Sequence, residues 1–156
     1  MAQIIYILTN ESMPDLIKIG MTDERLENRV KELSRQTAAP LPFEIYYACE
    51  VENMREVEKS LHDAFSDNRI NPKKEFFRIN PERVISILKL LTKKDITPKN
   101  DEFEEVEEKR AVEVARERRS RFNFNLAEIK AGSIIEYYYD TNIKAEVIDD
   151  REIKLG

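Results

Sequence analysis

Cysteine is nearly absent: Cys49 stands alone in 156 residues. A single thiol closes no intramolecular disulfide and builds no cysteine-based zinc cage. No apolar stretch approaches the length of a membrane span. The first residues lack the basic-then-apolar layout of a secretory signal. These absences lead us to expect a cytoplasmic protein with no membrane partner. Positive charge is not in excess either. Lysine and arginine number 26 against 31 aspartates and glutamates, a net charge of -5. That balance disfavours a protein that coats nucleic acid by bulk charge, yet it leaves room for a local basic groove. Internal repeats and Gly/Ser linkers are also missing.

The length suits one sizeable domain with an appendage, or two very small domains. Charge is unevenly spread. From Met1 to Lys94 basic and acidic residues balance, and the acidity lies beyond, starting with "DEFEEVEE" at Asp101–Glu108. A basic cluster, "RERRSR" at Arg116–Arg121, follows. We expect three segments: a main domain at 1–94, a charged helical connector at 95–122, and a small β appendage at 123–156.

Ile4–Thr9 is rich in β-formers, and Leu16–Gly20 follows after turn residues, so the pair reads as a hairpin. Thr22 is the expected cap of a first helix, with Leu26, Val30 and Leu33 at helical spacing. "FEIYYACEV" at Phe43–Val51 reads as a third strand. Asn53 with Glu56 forms a variant capping box for a helix with the stripe Met54, Val57, Leu61 and Phe65. "EFFRI" reads as a short strand. Asn80-Pro81 starts a third helix, whose end Lys93 and Lys94 would suit. A charged helix is expected over about Glu104 to Arg121. Three strand-like pieces close the chain: "IIEYYY", "KAEVI" and "REIKL", separated by Asp140–Asn142 and Asp149-Asp150. Alone they bury too little to fold, so they need a partner surface.

Several polar residues sit where apolar ones are expected. Lys18 lies between Ile17 and Ile19, and Tyr6 is in the neighbouring strand. Arg29 falls beside Leu26 and Leu33, and Glu58 beside Met54 and Leu61, with His62 one turn on. Each has an ordinary explanation. Arg29 and Glu58 could form a structural ion pair at the core's edge. His62 could be a satisfied boundary histidine, Tyr6 a strand aromatic, and Lys18 an edge lysine that snorkels to water. "RERRSR" could be a solvated helix face.

Taken in order, these positions resemble the GIY-YIG endonuclease superfamily, and within it the stand-alone phage and bacterial branch. Ile4-Ile5-Tyr6 stands where the family has GIY. Lys18-Ile19-Gly20 stands where it has YIG. "RVKEL" carries the family arginine as Arg29. "VEKSLHDAF" carries the metal-binding glutamate as Glu58, with His62 as the branch's histidine, and "EFF" resembles its closing strand. The resemblance spans about Ala2 to Leu91. Two departures stand out: Ile4 replaces the first glycine, and Lys18 replaces the second tyrosine.

The resemblance implies an α+β fold, a small antiparallel three-stranded sheet flanked by helices, followed here by the charged helix and a β meander. It implies hydrolysis of DNA phosphodiester bonds with one divalent metal, Mg²⁺ or Mn²⁺, held by Glu58. A hard cation that keeps several waters needs few protein ligands. Arg29 would hold phosphate oxygens in a fork. Tyr6, Lys18 or His62 would take or relay the proton of the attacking water, and Lys18 would face the phosphate. Tyr6, Lys18, Arg29 and Glu58 are expected on one concave face. Lys31, Arg35, Lys59, Lys73 and Lys74 would line the approach for DNA. Specificity would come from the C-terminal helix and strands, directly or through a homo-oligomer. Two other readings stay open. One is a catalytically weak module that binds nucleic acid, and the other is a protein-interaction domain.

Overall fold

The computed structural model describes residues 1–99, 106–120, 124, 127–149 and 152–156, with the side chains of 119 and 120 excepted. The chain divides into two compact units, Met1–Glu113 and Val114–Gly156. No helix among the described residues is long and apolar enough to cross a membrane.

In the first unit, strand β1 (Ile4–Thr9) is buried without a break from Ile4 to Leu8, because both of its faces are covered. Ile5 and Ile7 join one core with Ile17, Ile19, Leu61, Phe77 and Leu88. Ile4, Tyr6 and Leu8 join another with Leu26, Val30, Leu33 and Phe43. β2 (Ile17–Thr22) and β3 (Glu44–Glu50) flank β1. Helix α1 (Leu26–Gln36) covers the Tyr6 face, while α2 (Met54–Ala64) and α3 (Pro81–Leu91) bury their stripes on the other.

The fold is α+β with an antiparallel sheet, but that sheet has five strands rather than three, in the order β4-β2-β1-β3-β5. β4 (Phe76–Phe77) and β5 (Lys94–Asp95) add two residues each at the edges. β4 lies within the strand expected at "EFFRI", whereas β5 carries no periodicity to read and only its partner defines it.

Local signals set the helix starts in two cases. Asn53 accepts a hydrogen bond from the Glu56 amide at 3.2 Å and donates to the Glu56 carboxylate at 3.0 Å. Asn80 accepts from the Glu82 amide at 3.0 Å, with Pro81 in the first turn. Thr22 differs from expectation. It pairs with Ile4 in the ladder, so β2 continues through it and α1 begins only after Arg25. The Thr22 hydroxyl accepts from the Glu24 amide at 3.1 Å instead. Lys93 and Lys94 do not finish α3, which stops at Leu91. The chain turns back to the sheet, where the Lys93 amide donates to the Glu50 carbonyl at 2.8 Å and Lys94 pairs with Glu50.

Helix α4 (Val106–Ser120) is exposed along most of its described length, as its charge predicts. Most of the acidic run at 101–108 and Arg121 of the basic cluster lie outside the described residues. In the second unit, β6 (Ile134–Tyr137), β7 (Asp140–Val147) and β8 (Ile153–Leu155) form a three-stranded sheet. Asp140–Asn142, expected as a separator, opens β7. The Asp140 carboxylate accepts from the Asn142 amide at 3.0 Å, a tight local bond that starts the strand. Ala145 and Val147 are its buried residues.

Candidate functional site

The site is built on β2. Tyr6 pairs with Gly20 across the ladder, and its ring lies over the glycine. A Cβ on Gly20 would stand 2.5 Å from the Tyr6 Oη and 2.6 Å from two ring carbons. Only glycine lets the phenol cross the strand here. The phenol reaches Arg29, which hydrogen-bonds it and also donates to Glu32 at 2.8 Å. Burial pushes the Tyr6 hydroxyl up, the Arg29 charge pulls it back, and the Glu75 and Glu58 carboxylates push it up again, so it stays a neutral phenol. Burial disfavours the Arg29 charge, but Glu32 and Tyr6 more than offset that and the guanidinium is held firmly protonated. Arg29 therefore binds Glu32 and Tyr6, not Glu58 as a structural ion pair would require.

Lys18 is only 8 % exposed, so it is not a snorkelling edge lysine. β4 pairs with Ile17 and Lys18 and closes the sheet over them. The Nζ donates to Glu75 at 2.5 Å and lies 5.4 Å from the centre of the Phe76 ring.

Glu58 comes from α2 on the other side of the sheet. Burial raises its carboxyl above the ordinary range, Glu75 raises it further, and His62, Lys18 and Arg69 oppose the rise. His62 lies a turn later, and its Nε2 is 3.0 Å from the Ile19 carbonyl. A carbonyl has no hydrogen to give, so this nitrogen donates. The ring packs 5.1 Å from Phe77, and the histidine thus ties α2 to β2.

The helices carrying Arg29 and Glu58 cover opposite faces of the sheet, so the groups do not rise from one concave face. Tyr6 feels both charges unequally: Arg29 lowers its proton affinity through a hydrogen bond and its charge, and Glu58 is the weakest of the influences that raise it. Tyr6 and Lys18, expected beside an attacking water, are among the least exposed residues of the group, at 1 % and 8 %. Arg29 keeps 32 % of its side chain in solvent and Glu75 39 %. Lys73 and Lys74 lie near Lys18 across an open cleft. Lys59 is exposed beside Glu58. Lys31 and Arg35 fall on the side of α1 turned away from its buried stripe, apart from Arg29.

Three participants were not singled out by sequence. Glu75 pairs with Lys18 and acts on both Glu58 and Tyr6. Glu32 holds Arg29. Arg69 sits 5.6 Å from the Phe77 ring and bears on Glu58. Glu75 had one visible signal, a carboxylate opening the apolar "EFF" strand, opposite in sign to the buried Lys18.

Chemically, the arrangement offers a fixed guanidinium, a half-buried carboxylate with a second carboxylate near it, and a lysine cation. Among the described residues no three or more His, Cys, Asp or Glu side chains cluster as a metal cage. The donor set suits a hard cation that keeps most of its water, and does not suit zinc.

Comparison with curated proteins and with solved structures yields no match. Residues 3–92 match the T5orf172 domain, covering all three β1–β3 strands, α1, α2, α3 and each residue of the site. The chain thus belongs to the T5orf172 domain family.

Proposed function

We propose that the protein is a divalent-metal-dependent DNA endonuclease of GIY-YIG type. The observation that carries the reading is the Tyr6 ring laid over Gly20 where β1 and β2 pair, at the two positions that resemble the superfamily's paired motifs, with the Glu58 helix tied beside them through His62 and the Ile19 carbonyl. The T5orf172 match at residues 3–92 also spans the stretch that resembles the GIY-YIG superfamily.

Each residue then has a task that its surroundings suit. Arg29, fixed by Glu32 and Tyr6 and still partly in solvent, presents guanidinium hydrogens to the oxygens of a phosphodiester. Glu58 would hold Mg²⁺ or Mn²⁺, which when bound neutralises charge on phosphoryl and leaving oxygens. Tyr6 is too enclosed to touch a phosphate, and it acts by positioning Arg29. Lys18 adds a fixed positive charge beside the cleft, with Glu75 as its partner. His62 anchors the Glu58 helix to the strand through the Ile19 carbonyl.

The test is cleavage of supercoiled plasmid in Mg²⁺ or Mn²⁺ by the wild type, Glu58→Ala and Arg29→Ala. We expect cutting by the wild type and a loss of about 10²-fold or more in each variant. Cutting unaffected by both substitutions refutes the site. A second reading, a module that binds DNA without cutting, is favoured by the Lys18–Glu75 pair standing where the superfamily has a tyrosine. Salt-dependent DNA binding with no cutting in either metal would select it.

A further inference from the structure

A cleft of about 770 Å³ opens beside the site, on the β4 side of Lys18. That volume lies in the range, about 300–1,000 Å³, of sites that enclose small organic groups. Its lining is divided by chemistry. Leu33, Met13, Phe76, Ala38, Ala39 and Pro40 make apolar walls, and Lys18, Lys73, Lys74, Glu75, Gln36 and Thr37 make the polar part. Glu75 is already matched by Lys18, so the charge that the cleft shows to a ligand is the exposed pair Lys73 and Lys74.

Both walls are built rather than loose. The turn that carries the lysines is closed by the Lys74 amide donating to the Asn71 carbonyl at 2.9 Å and the Lys73 amide to the Asn71 side chain at 2.9 Å. Arg69 clasps it through the Lys74 carbonyl at 2.6 Å. Opposite, the Thr37 amide donates to the Leu33 carbonyl at 3.0 Å, and the Phe43 amide to the Ser34 hydroxyl at 3.0 Å. Buried Asn10 donates to the Leu41 carbonyl at 2.8 Å. The half-buried Phe76 ring is braced by Phe43, with centroids 6.2 Å apart and planes 28° from parallel.

A flat apolar ligand with a polar edge and an attached anion matches these features together. We propose that the cleft receives one unstacked nucleotide of the DNA strand, its base against the Ala38–Pro40 wall and the edge of the Phe76 ring and its phosphate at Lys73 and Lys74. The proposal rests on the nuclease reading and narrows its substrate class to DNA with an unpaired nucleotide near the cut. Lys18 lines the cleft and lies two residues from Gly20, about 7 Å along β2. The cleft therefore adjoins the Tyr6–Gly20 pair. Taking a base from the stack is least costly where it is already unpaired.

The test measures fluorescence anisotropy of the full-length protein with two labelled duplexes, one fully paired and one with a single unpaired nucleotide, in chelator so that no strand is cut. The unpaired duplex is expected to bind about tenfold tighter. Ala39→Phe, which fills the cleft, and Phe76→Leu, which keeps an apolar wall but removes the ring, should each erase that preference while still binding the paired duplex. Their melting temperatures check that both fold. Equal affinity of the wild type for the two duplexes, or a preference retained in both variants, overturns the proposal. Metal-dependent cutting that Glu58→Gln abolishes, without any such preference, overturns the cleft assignment and leaves the nuclease standing. Preference without cutting in any divalent metal supports the cleft and refutes the nuclease. No binding of either duplex, together with no cutting in any divalent metal, overturns both.

Discussion

Gly20→Ala is the sharpest perturbation of the site, because it adds one methyl group where the Tyr6 ring already lies. The new carbon would stand 2.5 Å from the phenolic oxygen and 2.6 Å from two ring carbons, so either the ring or the strand must move. The ring has little room. It is 1 % exposed and packed in the core with Leu26, Val30, Leu33 and Phe43. Overpacking of this kind costs about 1–3 kcal/mol. Replacing glycine also restricts the unfolded chain, which offsets about 0.4–1 kcal/mol of that cost. The net loss is about 1–2 kcal/mol, or a fall in Tm of about 4–10 °C for a domain of this size. Thermal unfolding followed by circular dichroism measures it. The reasoning is specific to the ring, so a double-mutant cycle is the stronger test. In a Tyr6→Leu background the Gly20→Ala cost should shrink by at least about 1 kcal/mol. A Gly20→Ala protein as stable as the wild type would refute the contact. So would an equal cost in both backgrounds.

Other outcomes follow from the same geometry. Glu58 binds its proton more firmly folded than unfolded, so its stabilising contribution is complete below the ordinary glutamate value of 4.5 and is lost as pH rises through the raised one. In chelator, Glu58→Gln should therefore gain on the wild type in urea melts at pH 7 and not at pH 4, and an advantage confined to pH 4 would contradict the burial argument. Lys18→Met removes a charge that holds the Glu58 proton affinity down. Carboxyl titration by NMR should then find Glu58 moved further up, and a downward move would show that the two do not interact as described. Asn53→Ala strips the α2 amide of its acceptor and should cost about 1 kcal/mol in a denaturant melt. An unchanged midpoint would mean that the cap contributes nothing.

What sequence alone determined was local in origin. The apolar run of β1, the spacing of Leu26, Val30 and Leu33, and the Asn53 and Asn80 caps each act within a turn or two of chain, where steric and hydrogen-bonding preferences operate directly. The odd placement of Lys18, Arg29 and Glu58 was visible for the same reason: a charge in an apolar pattern shows at once. Their partners were not visible. Glu75 meets Lys18 across 57 positions, and Tyr6 and Gly20 meet only once the strands register. β5 exists because the chain after α3 returns to Glu50, and nothing in two residues announces that. Sequence named the other elements and the misplaced charges. Tertiary structure decided which charges neutralise each other, which stay in water and which ring covers which glycine. Those outcomes depend on distances that close only when the whole sheet is assembled.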